Sequence, residues 1–289
     1  MIARTPKGSS EGATEIRAEA VSRSFGAHAV LRGIDLEVLR GQIVAIVGAS
    51  GSGKTVFLDI LTALMRPDRG RVMVADHSRP GSPLVDLLAL SPEELDRLRM
   101  HWSIVFQRNA LFTGSVYDNI ALWLREHTEM PEDQIRQRVR ESLKAAALDV
   151  DDVIRKDREE LSGGMAKRVA IARAIAVRPK VIFYDEPTTG LDPIISGQIH
   201  ELIFNNHHES GDGEARTTLV ITHDKELLRR VRPRVVMLHQ GRIAFDGTYE
   251  EFTESRSPVA EEYLRSMPVL QARDESLPAW GGRARTRVK

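Results

Sequence analysis

The sequence predicts an α/β fold built on a mostly parallel sheet with helices on both faces. Ile43-Val44-Ala45-Ile46-Val47 is a continuous apolar run, the pattern of a strand buried on both sides. Three more short, mainly apolar runs, at residues 181–184, 219–222 and 235–238, are separated by helix-like sequence. Parallel strands need crossovers of that kind. A glycine-rich stretch follows the first run at once and leads into a helical segment at residues 56–61, giving a strand–loop–helix unit.

The remaining elements follow in order. Residues 1–14 are small and polar and read as a flexible tail. Residues 15–40 alternate well enough for two antiparallel strands, with Ile16, Ala18 and Ala20, then Ile34, Leu36 and Val38, on one face. Residues 71–75 form another strand. Ser91-Pro92-Glu93-Glu94 is a capping box with proline at the first helical position, so a helix starts there. Ile104-Val105-Phe106 is a short strand. Residues 108–160 read as mostly helical, with Pro131 opening a charged amphipathic helix to about residue 148. Thr248-Tyr249-Glu250-Glu251 is a second capping box, and Ser257-Pro258 starts a last helix. From about Met267 the chain turns loop-like and ends basic (Arg283, Arg285, Arg287, Lys289).

Composition removes several functions. The chain has 289 residues and no cysteine, which excludes thiolate catalysis, disulfides and cysteine-based metal sites. Lys+Arg and Asp+Glu are both 41, so no whole-molecule charge favours nucleic acid, and no nucleic-acid partner is expected. The N-terminus has no apolar stretch of signal type, and no run approaches the ~18 residues of a membrane span. Any work at a membrane is expected to go through a partner. His207 and His208 read as a solvated pair in a polar loop over residues 205–216, and Trp102 and Trp123 as packing anchors.

Gly48-Ala49-Ser50-Gly51-Ser52-Gly53-Lys54-Thr55 matches G-x-x-x-x-G-K-[ST] between a buried strand and a helix. Its glycines let backbone N–H groups converge on phosphate oxygens, and the helix N-terminus adds partial positive charge. Lys54 would reach the β- and γ-phosphates of ATP, and the Thr55 hydroxyl would ligate Mg2+. The strand at 181–184 ends in Asp185-Glu186. Such a pair is commonly an ordinary solvated loop. Beside a phosphate loop, Asp185 would hold Mg2+ and Glu186 would orient the attacking water and take its proton.

Leu161-Ser162-Gly163-Gly164-Met165 precedes a strong helix. Ser162 is a good N-cap, and the two glycines bare the first N–H groups, making a second anion cradle. One nucleotide in one subunit does not need two cradles. The economical reading is that this one serves the nucleotide of another copy across a twofold axis. The segment resembles the LSGGQ signature of ABC ATPases, with Met165 in the last place.

That resemblance, spanning about residues 15–250 with the motifs in family order, implies a P-loop NTPase of the ABC ATPase class. Its parts would be a mostly parallel sheet core, an antiparallel β-subdomain and a helical signature subdomain at about 108–165. A C-terminal helix and basic tail would occupy 251–289. It also implies roles. Gln107 looks like the Q-loop glutamine that touches Mg2+ or water, and Asp192, in Gly190-Leu191-Asp192-Pro193, like the D-loop residue that crosses the dimer. His223 looks like the H-loop histidine at the γ-phosphate, and Phe25 like the aromatic that stacks on adenine. Thr222 stands where many members have serine.

The gap from phosphate loop to signature is 113 residues (161 − 48), too short for inserted coiled coils, and there is one cassette. Transporter subunits and a soluble assembly ATPase remain as readings, with an ATP-binding scaffold that does not turn over as a further rival. Phe112, Val116, Leu122 and Trp123 would suit a groove for a permease helix or serve as subdomain core. The stretch Leu124-Arg125-Glu126-His127-Thr128, with Met165-Ala166-Lys167-Arg168 after the glycines, is similar to the Mla/Mce class of lipid-transport ATPases. That similarity implies a homodimer at the cytoplasmic face of the inner membrane. Its partners would be an integral permease, an MCE-domain substrate-binding protein and a small regulatory subunit. The C-terminal end would be a disordered tail, or would pack on a neighbouring subunit, bind the regulatory protein or lie near anionic headgroups.

Overall fold

The uninterrupted apolar run at residues 43–47 lies inside a six-stranded sheet, because only burial on both faces matches a strand with no polar side. The computed structural model describes residues 13–208 and 215–267. In chain order the elements are β1 (Thr14–Phe25), β2 (His28–Leu39), β3 (Ile43–Val47), α1 (Lys54–Leu61), β4 (Arg69–Ala75), β5 (Leu84–Asp86) and α2 (Pro92–Arg99). They continue as β6 (Trp102–Val105), α3 (Val116–His127), α4 (Glu132–Ala145), α5 (Val150–Val153), a 3-10 turn (Arg158–Glu160) and α6 (Gly163–Ala176). Then come β7 (Val181–Asp185), α7 (Pro193–His208), β8 (Thr217–Ile221), α8 (Lys225–Val231), β9 (Arg234–His239), β10 (Arg242–Gly247), α9 (Tyr249–Thr253) and α10 (Pro258–Ser266).

The main sheet has strand order β10-β9-β3-β8-β7-β6, parallel except for β10. A second sheet, β2-β1-β4-β5, is antiparallel. Side chains of a strand alternate faces, and the main sheet uses this to serve two cores. Ala45, Val47, Ile182, Tyr184, Val235 and Met237 face a core shared with α3, α4, α6 and α7. Val44, Ile46, Val181, Phe183, Val236 and Leu238 face the second core, shared with α1 and the antiparallel sheet.

Local signals explain most boundaries. In α2, the Ser91 hydroxyl accepts from Glu94 N at 3.3 Å and Glu94 returns to Ser91 N at 3.0 Å, with Pro92 at the first helical position. Thr248 and Glu251 repeat the reciprocal pair at α9. Trp102 packs edge-on against Phe183 at 5.6 Å, an anchor between neighbouring strands.

Three expectations need correction. The short strand is Trp102–Val105, so Phe106 falls outside it and is exposed. The stretch after it enters helix only at Val116; residues 106–115 are irregular. His207 and His208 are not a solvated loop pair. They end α7, and His207 is buried against β8, with Nδ1 3.2 Å from Thr218 Oγ1. Burial holds its imidazole down to about 4. Most of the expected N-terminal tail and all of 268–289, with its arginines, lie outside the described residues.

Candidate active site

The strand–loop–helix unit sets the site. Gly48 (φ 147°) leaves β3 so close to β9 that a Cβ there would sit 2.3 Å from Leu238 O. Gly53 (φ 98°) precedes α1, and a Cβ would meet Leu31 Cδ2 at 2.8 Å. Glycine is what these two positions admit. Between them Ser52 N donates to Ala49 O at 3.1 Å, closing the turn. Lys54 curls back and donates to Gly48 O at 2.8 Å and Ala49 O at 3.1 Å. Burial pushes its ammonium down, while Glu186 and Asp185 hold it up. An anion with competing oxygens would draw the ammonium off these carbonyls.

A cavity of about 740 Å³ opens over this loop, lined by Phe25, His28, Val30, Gly48, Ser50, Gly51, Gly53, Lys54, Thr55, Val56, Gln107, Glu186 and His223. The aromatic, the loop, Gln107, Glu186 and His223 thus converge from five separate stretches of sequence. Phe25 is exposed, and the Arg23 guanidinium lies 5.0 Å from its ring centre, itself paired to Asp68 at 2.6 Å. Arg23 therefore backs one side of the ring.

The acids sit at the tip of β7. Asp185 is buried and its Oδ1 has no hydrogen-bond partner. Burial raises its pKa, as do Glu186 and Asp59, against Lys54 and Lys167. A buried carboxylate short of partners and crowded by negative charge fits a divalent cation. Thr55, exposed at the start of α1, and Gln107 are the other candidate ligands and line the cavity; Asp185, buried at the end of β7, does not itself line it. Glu186 has φ 46° and donates its N–H to Ile221 O at 3.0 Å, so β8 holds a backbone conformation that non-glycine residues seldom adopt. His223 Nδ1 lies 2.7 Å from Glu186 Oε2. A ring so placed can donate to the carboxylate from Nδ1 and leaves Nε2 for a second partner.

Several expected residues stand apart from the cavity. Ala49 is exposed but does not line the cavity, and Ser52 is buried with an unpartnered hydroxyl. Ser162 caps α6, accepting from Met165 N at 3.2 Å, and with Gly163 is exposed. Gly164 is buried against Ile195, whose Cγ2 would stand 2.8 Å from an added Cβ. None of Ser162, Gly163, Gly164 or Met165 lines the cavity. Asp192 is exposed, but its Oδ1 accepts from Ile194 N and Ile195 N, both at 3.0 Å, and so caps its own helix α7.

The structure adds residues that the sequence did not single out. His28 and Val30 line the cavity beside Phe25. Beneath His223, Asp224 Oδ2 lies 2.8 Å from His200 Nε2 and accepts from Thr188 Oγ1 at 2.9 Å. This buried cluster ties α7 to the segment that carries His223. Of the four residues read as docking groove or subdomain core, Val116 is core, Phe112 and Leu122 are exposed, and Trp123 packs part-buried against the core.

Comparison with known proteins places the chain in a family. The ABC transporter family profile matches residues 31–189. The chain is 36% identical over 256 residues to protein trigalactosyldiacylglycerol 3, chloroplastic, of Arabidopsis thaliana, covering 84% of this chain and 71% of that one. It is 34% identical over 241 residues to the intermembrane phospholipid transport system ATP-binding protein MlaF of Haemophilus influenzae (83% and 86%). It is also 35% identical over 254 residues to the histidine transport ATP-binding protein HisP of Pseudomonas aeruginosa (86% and 97%). Among solved structures, a dimeric ATP-binding cassette in a post-hydrolysis state bound to ADP and Pi aligns with TM-score 0.70 and 29% identity, covering 81% of this chain and 98% of that chain.

Proposed function

The chain belongs to the ABC transporter family and is an ATP-hydrolysing subunit of that family, and from this premise we propose that it powers phospholipid transport through a separate membrane permease. Among the described residues no helix is long and apolar enough to cross a membrane. The permease would supply the passage, and this chain would sit at its cytoplasmic face on the inner membrane. An MCE-domain protein and a small regulatory subunit complete the proposed assembly.

In the proposed cycle, two copies each bind ATP over Gly48–Thr55 and close on one another. Phe25 stacks on adenine, and the loop amides and Lys54 hold the phosphates. Asp185, Thr55 and Gln107 would hold Mg2+, which when bound neutralises charge on the β- and γ-phosphates. Glu186 orients the water and takes its proton; His223 holds Glu186 in place and faces the γ-phosphate. The other copy supplies the Ser162–Met165 amides, with Asp192 nearby at the seam. One observation carries this reading: Ser162 and Gly163, at the head of α6, are exposed and do not line the cavity of their own chain.

The lipid assignment rests on MlaF-like sequence, and the likeness to HisP supports a rival importer of small polar solutes. Reconstitution of the chain with its permease in vesicles separates them. The proposal expects ATP-dependent movement of labelled phospholipid and no response to histidine. Turnover stimulated by an amino acid, with phospholipid left in place, would overturn it.

A further inference from the structure

Lys167 sits on α6 one turn after the exposed Gly163 of the signature, yet it is only 2% exposed. A buried ammonium is costly unless its donors are used. Lys167 uses them on main-chain carbonyls, donating to Phe106 O at 3.0 Å and Gln107 O at 2.7 Å. Burial lowers its pKa to about 8, opposed by Asp185. A methionine or leucine would fill the same space without that cost, so packing alone does not explain the charge.

The loop it holds has little structure of its own. Among the described residues, no main-chain group is hydrogen-bonded by another main-chain group over residues 108–113. Side chains do the holding. Arg173, also on α6, donates to Ala110 O at 3.0 Å. Arg158, in the turn just before the signature, donates to Leu111 O at 2.8 Å. Asn119 donates to Phe112 O and accepts from Phe112 N, both at 3.0 Å. Two of these four side chains lie on α6 and a third in the turn that precedes it. The loop with Gln107 is therefore fastened to α6 at Phe106, Gln107 and Ala110, although in sequence it continues β6.

We propose that Lys167 is a positioning residue that makes the Gln107 loop and the signature helix one mechanical unit. This rests on the reading of Gln107 and Ser162–Met165 given above. A displacement of Gln107 as the nucleotide changes state in one cavity is then passed to the amides that face the other copy's nucleotide. The route is short and stiff: carbonyl, ammonium, helix. Lys167 itself touches neither nucleotide.

The test compares full-length wild type, Lys167→Met and Lys167→Arg. Limited trypsin digestion without nucleotide reads the fastening, because Arg108 is exposed in the held loop and cleavage there needs the loop to open. In Lys167→Met cleavage after Arg108 should be at least about tenfold faster, with cleavage elsewhere in the chain unchanged. With MgATP, its kcat should fall at least about tenfold while the KM for ATP stays within about threefold. Lys167→Arg, which can still donate to both carbonyls, should restore cleavage and kcat to within about threefold of wild type. Unchanged cleavage after Arg108 in Lys167→Met would overturn the proposal. So would a kcat loss matched by a parallel rise in KM and not rescued by arginine. Should Lys167→Met fail to fold, Arg173→Met tests the same fastening from the next turn, and unchanged cleavage after Arg108 there overturns it equally. A wild type without ATPase activity in its complex would sink the functional reading alone, because the proteolysis comparison needs no turnover.

Discussion

Glu186 is the residue on which the chemistry turns, and its surroundings show how a single carboxylate is aimed. Its backbone is held at positive φ by Ile221 O, and its side chain meets His223 at 2.7 Å. Glu186→Gln keeps the shape and removes the base, so ATP should still bind while hydrolysis falls at least about 100-fold. Radiolabelled ATP turnover checks this; a wild-type rate would refute the role. His207 makes a different kind of prediction. Above about pH 6.5 its ring is neutral in folded and unfolded chains alike, so unfolding exchanges no proton. Between about 6.5 and 4 the unfolded chain takes a proton that the buried ring refuses, so stability falls as pH drops through that window. Thermal melts should show wild type losing up to about 2 kcal/mol more than His207→Gln between pH 7 and 4.5; parallel curves would contradict the assignment. His207 and Lys167 were illegible in the sequence for one reason. Polar residue types default to the surface, and only tertiary packing buries them. Phe25, Lys54 and Glu186 were legible because each lies in a motif whose flanking strand or loop fixes its place.

Helices and strands carry the next level of the account. Continuous apolar runs gave away the buried parallel strands, and the two capping boxes marked the starts of α2 and α9. The irregular stretch from Phe106 to the start of α3 escaped the same reading, because its order comes from Lys167, Arg173, Arg158 and Asn119 rather than from its own periodicity. The β3–loop–α1 unit is where a small change should cost most. Gly48→Ala would put a methyl group 2.3 Å from Leu238 O, with no flexible side chain to yield. It should lose about 2 kcal/mol or more of stability and most of its affinity for MgATP. Urea unfolding and nucleotide titration read both, and a variant within about 0.5 kcal/mol of wild type would show that the loop can relax.

At the scale of the molecule, one sheet separates two cores, and the nucleotide cavity opens where β3 and β7 end. The order of motifs along the chain made that architecture readable. What it could not convey is that α10, expected as part of a separate tail region, places Ala260 and Tyr263 in the main core. The central claim is that the cavity of one copy is completed by the signature of another. The absence of native cysteine gives a clean background for testing it. His28 lines the cavity, and Gly163 is exposed with nothing within 4 Å of an added Cβ, so both sites accept cysteine. Two single-cysteine chains, His28→Cys and Gly163→Cys, each in the Glu186→Gln background, would be mixed and treated with a short bifunctional thiol cross-linker. The account predicts a covalent heterodimer that forms with MgATP and not without nucleotide; no cross-link, from chains that bind ATP normally, would contradict it.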